Sequence, residues 1–115
     1  MTMKIIKNSI KKSELVLLAQ KQFGNLVKAV VDIKAEIIAL DAELHADLET
    51  LLLENGSKQE DLWGINIYPT EEFEEKIIEF DSMINIRPSQ NNRSRDVENP
   101  EVREKIREIV KKIIL

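Results

Sequence analysis

The feature that most constrains this fold is an amphipathic segment at the end of the chain, from Asn99 to Ile114. Asn99 followed by Pro100 is typical of a helix start, and the apolar residues after them recur on one side of a helix. They are Val102, Ile106, Ile109, Val110, Ile113 and Ile114. A helix that is apolar on one side buries that side against another layer, so the rest of the chain has to supply that layer.

The layer is predicted to be a sheet, because five earlier segments either alternate between apolar and polar residues or are rich in β-branched residues. These segments are Met3 to Ile6, Leu26 to Ile33, Glu36 to Leu40, Leu62 to Tyr68 and Ile77 to Ile86. The second and third are predicted to form a tight hairpin, and the last two to pair antiparallel. A further helix is predicted from Ser13 to Phe23, with Gly24 as its stop.

The segment from Asp41 to Asp47 allows two interpretations. A helical stripe of leucines follows it and ends at Asn55 and Gly56. Either the helix begins at Asp41, or the preceding strand continues to about His45 and Asp47 opens a shorter helix.

These elements predict an α+β fold. A chain of 115 residues is long enough for a single modest core. We expect one domain over residues 1–115, with a single layer of about five mostly antiparallel strands and two or three helices packed on one face.

Composition excludes several classes of site. The chain has no cysteine, so it holds no disulfide, thiolate metal site or cysteine nucleophile. Its N-terminus lacks a signal-peptide core, and no segment approaches the ~20 apolar residues of a membrane span. We therefore expect a cytoplasmic protein without a membrane partner.

Charge is segregated along the chain. Residues 1–12 carry four lysines and no acid, residues 41–81 carry thirteen acids against two lysines, and residues 82–115 carry eight bases against five acids. These regions are expected to face each other within the fold or across a homodimer, although a basic patch is the alternative. A pI of 5.1 and a single Trp and Tyr argue against nucleic acid as the partner.

The best candidate site follows Pro88, where the chain turns polar. Arginine carries fixed forks of donors that suit a phosphate or a carboxylate, and free N–H groups at the start of the last helix would add to them. The candidate ligand-binding residues are Arg87, Asn91, Asn92, Arg93, Ser94 and Arg95. The alternative is that these arginines only pair with nearby carboxylates such as Asp81 or Glu98.

A weaker candidate surrounds the single histidine. If the segment is a strand, Glu43, His45 and Asp47 alternate onto one face and could converge on a divalent ion or supply acid–base chemistry. Asp61 or Asp81 could add a carboxylate. If it is a helix, His45 points away from the two acids. Across both alternatives, a surface or helix-capping histidine is the simpler interpretation.

Two stretches carry a resemblance. The first is ELHADLETLLLENGSKQEDLWGINIYP, and the second is IEFDSMINIRPSQNNRSRDVENPEVREKI. Together they resemble a family of small prokaryotic proteins without an assigned activity. The resemblance covers nearly the whole chain and implies a coherent domain, but it transfers no catalytic residue.

Three functions fit the sequence. The leading hypothesis is a small binding module, functioning as a homodimer, that holds an anionic ligand or an acidic segment of a partner through Arg87 and the Asn91–Arg95 loop. The alternatives are a small enzyme that uses Glu43, His45 and Asp47, and a homo-oligomeric scaffold without a small-molecule site. No cofactor or reaction follows from these motifs.

Overall fold

A computed structural model describes residues 3–115. Within these residues, five antiparallel strands form one open sheet in the order β1-β3-β2-β4-β5, and four helices accompany it. The elements are β1 (Lys4–Ile6), α1 (Lys12–Gln22), β2 (Val27–Asp32), β3 (Ile37–Leu40), α2 (His45–Glu54), β4 (Leu62–Ile67), α3 (Glu74–Ile77), β5 (Ile78–Glu79) and α4 (Pro100–Ile113). The predicted α+β class with a five-stranded antiparallel sheet is confirmed.

The hairpin of β2 and β3 forms as predicted, although its turn lacks an Asn-Gly pair. The carboxylate of Asp32 accepts hydrogen bonds from the N–H groups of Lys34 and Ala35, both at 2.9 Å. Glu36 then adopts a φ of 59°. An aspartate side chain that bonds the backbone two and three residues later is enough to reverse the chain.

Helices cover both faces of the sheet. Neighbouring residues of a strand point to opposite faces, so Ala29 and Val31 of β2 join one core cluster and Val30 joins the other. The first cluster takes in α1 and α4, so two helices pack on one face, whereas two or three helices on a single face were predicted. Helix α2 packs on the opposite face, because the central strands are apolar on both sides.

The segment between β3 and α2 matches neither of the two proposed boundaries. Strand β3 ends at Leu40, and Asp41 has a φ of 75°, in the left-handed region that ends a strand. The helix begins at His45, and the N-cap residue Leu44 makes no side-chain capping bond. His45 is thus the first residue of α2 rather than the last residue of a strand.

The predicted strand from Ile77 to Ile86 is wrong over most of its length. Pairing with β4 stops after Glu79, and the chain enters a short 3₁₀ turn at Met83–Asn85. The amide of Asn85 then replaces the missing strand, because its Oδ1 accepts from the N–H of Gly64 at 2.8 Å and its Nδ2 donates to the Gly64 carbonyl at 2.9 Å. One side chain therefore satisfies the backbone that a longer β5 would have paired.

Helix α4 forms as predicted. Asn99 is its N-cap, and its Oδ1 accepts from the N–H of Glu101 at 2.8 Å. Ile106, Ile109 and Ile113 are fully enclosed in the core. The start of α4 lies directly after the polar loop, which is the region of the candidate site.

Candidate functional site

Arg87 is directed into the protein. The residue is 8% exposed, and its guanidinium donates through Nη1 to the carbonyl of Gln59 and through Nη2 to the carbonyl of Leu62. The guanidinium also lies 4.1 Å from the centroid of the Trp63 ring. Burial lowers the pKa of Arg87 from its ordinary value. These contacts attach the polar loop to the start of β4 and leave Arg87 poorly placed to meet a ligand.

Asn92 organises the loop that follows. The residue is 3% exposed, and Nδ2 donates to the carbonyls of Asn85, Ser94 and Asp96 at 2.7, 3.1 and 2.7 Å. Its Oδ1 accepts from the N–H of Glu98 at 2.8 Å. A buried amide with every hydrogen-bonding group occupied holds one loop conformation.

The chain from Arg87 to Asn92 closes as a narrow hairpin, from which the rest of the Asn91–Arg95 loop continues. The backbones of Arg87 and Asn92 exchange two hydrogen bonds, of 2.7 and 3.1 Å. Asn91 lies at the tip with a φ of 60°, a conformation that asparagine tolerates better than most residues. Its side chain is exposed. The exposed loop residues after Asn92 are therefore held on a rigid base.

An internal carboxylate occupies the donors of this loop. Oε2 of Glu98 accepts from the N–H of Arg93 at 3.0 Å, from the N–H of Ser94 at 2.9 Å and from the Ser94 hydroxyl at 2.7 Å. The hydrogen bond from the Ser94 hydroxyl, followed by that from the Arg93 N–H, lowers the pKa of Glu98. Three donors that converge on one carboxylate oxygen, an arrangement that we call the loop receptor, have the geometry that suits an anion.

The two arginines of the loop differ in their contacts. Arg95 donates from Nε to Asp81 at 2.6 Å, in a pair whose side chains are 53% and 41% exposed. Arg93 is exposed, and in the described residues its guanidinium makes no ion pair. Arg93 therefore keeps its guanidinium outside any ion pair, whereas Arg95 shares its charge with Asp81.

A cavity of about 430 Å³ lies beside the loop. Its lining combines amide side chains and carboxylates with apolar residues, namely Ile33, Glu60, Trp63, Gln90, Asn91, Asn92, Glu98, Asn99 and Val102. Glu98 belongs both to this cavity and to the receptor on the loop. A ligand that displaced the Glu98 carboxylate would therefore have room for the remainder of its structure.

The alternative site does not assemble. His45 is 8% exposed, and its Nε2 lies 2.8 Å from the carbonyl oxygen of Ile65, whereas Glu43 and Asp47 are exposed. Because α2 begins at His45, the three residues do not alternate on one face of a strand. From Met3 to Leu115, no group of three or more His, Cys, Asp or Glu residues is arranged to hold a metal ion.

Residues 4–113 match a family described as a protein of unknown function (DUF5674). The chain belongs to this family. No curated protein and no solved structure matches it. The expected resemblance to a family without an assigned activity is therefore confirmed, over almost the whole chain.

Among the helices of residues 3–115, none has the length and apolar character that crossing a bilayer requires.

Sequence reasoning missed two parts of this DUF5674 protein. It treated Glu98 only as a possible ion-pair partner, although an acid directly before the Asn99–Pro100 helix start lies within reach of the preceding loop. It also passed over Lys28 and Asn66, which interrupt the apolar runs of β2 and β4. A polar residue at an inward position of a central strand is a usable signal.

Proposed function

We propose that this DUF5674 protein is a small binding module that holds an anionic ligand, or an acidic segment of a partner, on the Asn91–Arg95 loop. One observation carries the proposal: two backbone N–H groups and the Ser94 hydroxyl already converge on the carboxylate of Glu98. An internal carboxylate in this position favours a ligand that presents a carboxylate of its own.

The loop residues have two roles in this proposal. Arg93 and Ser94 are exposed and contact the ligand. Arg87 and Asn92 are buried and hold the loop in shape through bonds to backbone carbonyls. Preorganised donors lower the entropy cost of binding, so a short loop on a rigid base can hold a small anion.

Glu98 competes with the ligand for the same donors. The apparent affinity equals the intrinsic affinity multiplied by the fraction of molecules in which the donors are free. Removal of the Glu98 carboxylate increases this fraction and therefore raises the apparent affinity. The Glu98→Ala variant should therefore bind a tetraglutamate peptide about tenfold more tightly than the wild type. Arg93→Ala should weaken binding roughly two- to fivefold, since an exposed charge contributes little.

The experiment is a calorimetric titration with tetraglutamate peptide at constant ionic strength. Glu101→Ala is the matched control, because it removes an acid from the first turn of α4 without touching the loop receptor. Tighter binding in Glu98→Ala alone supports the proposal. An equal gain in affinity in Glu98→Ala and Glu101→Ala would mean that the change in net charge explains the effect. It would refute a defined receptor.

We also propose a homodimer in the cytoplasm. The segregation of basic and acidic segments along the chain and the absence of cysteine support this proposal. Sedimentation analysis in low and high salt tests the dimer, because an assembly held by opposite charges dissociates as salt screens them. A monomer at every salt concentration would refute it.

A further inference from the structure

A second polar cluster lies on the face of the sheet that α2 packs against. Lys28 of β2, Asn66 of β4 and Glu79 of β5 are direct neighbours across the strands. Lys28 and Val30 are two residues apart and share a face, and Val30 packs against α2. This row of polar residues therefore continues the α2 face of the sheet beyond its apolar part.

Three more residues complete what we call the sheet-face cluster. His45, the first residue of α2, contacts the carbonyl of Ile65 next to Asn66. The backbone carbonyl of Asp81 accepts from Asn66 Nδ2 at 3.4 Å, and the side chain of Asp81 binds Arg95. The cluster consists of Lys28, His45, Asn66, Glu79, Asp81 and Arg95.

The cluster contains two acceptors without donors. A carbonyl oxygen can only accept, so His45 Nε2 carries the proton in its bond to Ile65, and Nδ1 of the neutral ring is an acceptor. No described residue donates to this Nδ1. Asn66 is 7% exposed, its Nδ2 faces Glu79 and Asp81, and its Oδ1 is buried without a partner. Buried acceptors are normally paired, so the unpartnered Oδ1 of Asn66 is unusual.

The cluster also contains two cations. Lys28 has no ion-pair partner within residues 3–115, and its ammonium lies 5.0 Å from the centroid of the Phe23 ring. Arg95 uses Nε for Asp81 and has its terminal nitrogens left. The charges of Lys28, Asp81 and Arg95 all act on the His45 ring, and burial is the main cause that lowers its pKa.

We propose that the sheet-face cluster is a binding site for a phosphate group, which Lys28 and Arg95 hold by charge and which donates its own hydroxyl to Nδ1 of His45. Cations beside unpartnered acceptors suit an anion that carries a proton. Hydrogen phosphate has such a proton near neutral pH and sulfate does not. The site therefore selects phosphate over sulfate, although the two anions have the same shape and a similar charge.

The single histidine of the chain provides a local readout of this site. In a proton–nitrogen NMR spectrum at pH 7, inorganic phosphate should shift the Nδ1 resonance of His45 in a saturable way, while sulfate at the same ionic strength should not. Lys28→Gln should weaken the phosphate effect about tenfold or more, because it removes a charge-assisted hydrogen bond. Lys34→Gln, in the exposed β2–β3 turn, is the matched control.

The outcomes separate this site from the loop receptor. Arg93→Ala should leave the phosphate response of His45 unchanged, because Arg93 is not part of the cluster. Equal responses to phosphate and sulfate, or no saturable response to either, would overturn the proposal. So would an equal loss in Lys28→Gln and Lys34→Gln. Failure here leaves the tetraglutamate titration of Glu98→Ala unaffected, so the two proposals fail independently.

Discussion

Replacement of Arg87 by methionine tests whether this arginine holds the fold. Methionine keeps most of the apolar stem and removes the guanidinium, which donates to the carbonyls of Gln59 and Leu62 and covers Trp63. A hydrogen bond to a charged group contributes about 1.5–3 kcal/mol. A cation–π contact adds about 0.5–2 kcal/mol. Against these stands the desolvation cost of the guanidinium, which the variant recovers. Methionine loses about as much side-chain entropy on burial as arginine, so this cost does not change.

The net loss should be about 2–4 kcal/mol of unfolding free energy, because two buried carbonyls lose their donor. For a domain of this size the melting temperature should fall by about 10 °C. The assay is urea unfolding followed by far-UV circular dichroism and by the fluorescence of Trp63, the only tryptophan. Coincident transitions and an unchanged m value would show that the variant differs in stability alone.

Arg107→Met is the matched control for Arg87→Met. Arg107 lies 5.2 Å from the Phe80 ring centroid and 3.5 Å from Glu104, so it shares the aromatic contact but binds no buried carbonyl. It should change stability by less than about 0.5 kcal/mol. A loss below about 1 kcal/mol in Arg87→Met would refute the structural role. Arg87 would then return to the list of residues that contact a ligand.

Three further variants test the fold and its charges. Gly64→Ala should lower the free energy of unfolding in urea by about 1–3 kcal/mol, because the new Cβ would lie 2.6 Å from Ser82 Cβ. An unchanged free energy would show that the neighbouring turn moves to make room. Asn85→Ala should speed hydrogen exchange of the Gly64 amide, whose N–H loses its acceptor, and unchanged exchange would mean that another group pairs it. Burial is the main cause that lowers the pKa of His45 in the folded protein, so the unfolded state binds the proton more readily. The free energy of unfolding should therefore fall as pH drops below about 6.5. His45→Asn should lack this part of the pH dependence in urea titrations between pH 5 and pH 7, and an identical slope would exclude His45 as its source.

The candidate loop was identifiable from sequence, but the direction of its side chains was not. Arginine and asparagine after Pro88 indicate a polar loop before a helix, and that loop is where the sequence places it. Whether an arginine side chain contacts solvent or a backbone carbonyl depends on which distant segment of the chain packs beside it. Arg87 meets the carbonyls of residues 25 and 28 positions earlier in the chain, and no local pattern encodes such a contact.

The same reason explains the error in the last strand. Ile77 to Ile86 alternates well enough for a strand, yet pairing with β4 ends at Glu79. Asn85 and Ser82 lie against Gly64 there, and Gly64 has no side chain to keep them away. The competition between a backbone ladder and an amide side chain is decided by close packing between distant segments, which periodicity does not report.

Local pattern alone determined the α+β class, the β2–β3 hairpin and helix α4, because each depends on residues that are neighbours in the chain. Asp32 stabilises the hairpin turn by accepting from the N–H of Lys34, two residues later, and Asn99 caps α4 through the N–H of Glu101. Only the tertiary structure decided that α2 covers the second face of the sheet and that Glu98 occupies the donors of the loop. It also brought Lys28 and His45 to the same end of that face, because burial and charge in three dimensions depend on which distant segments meet.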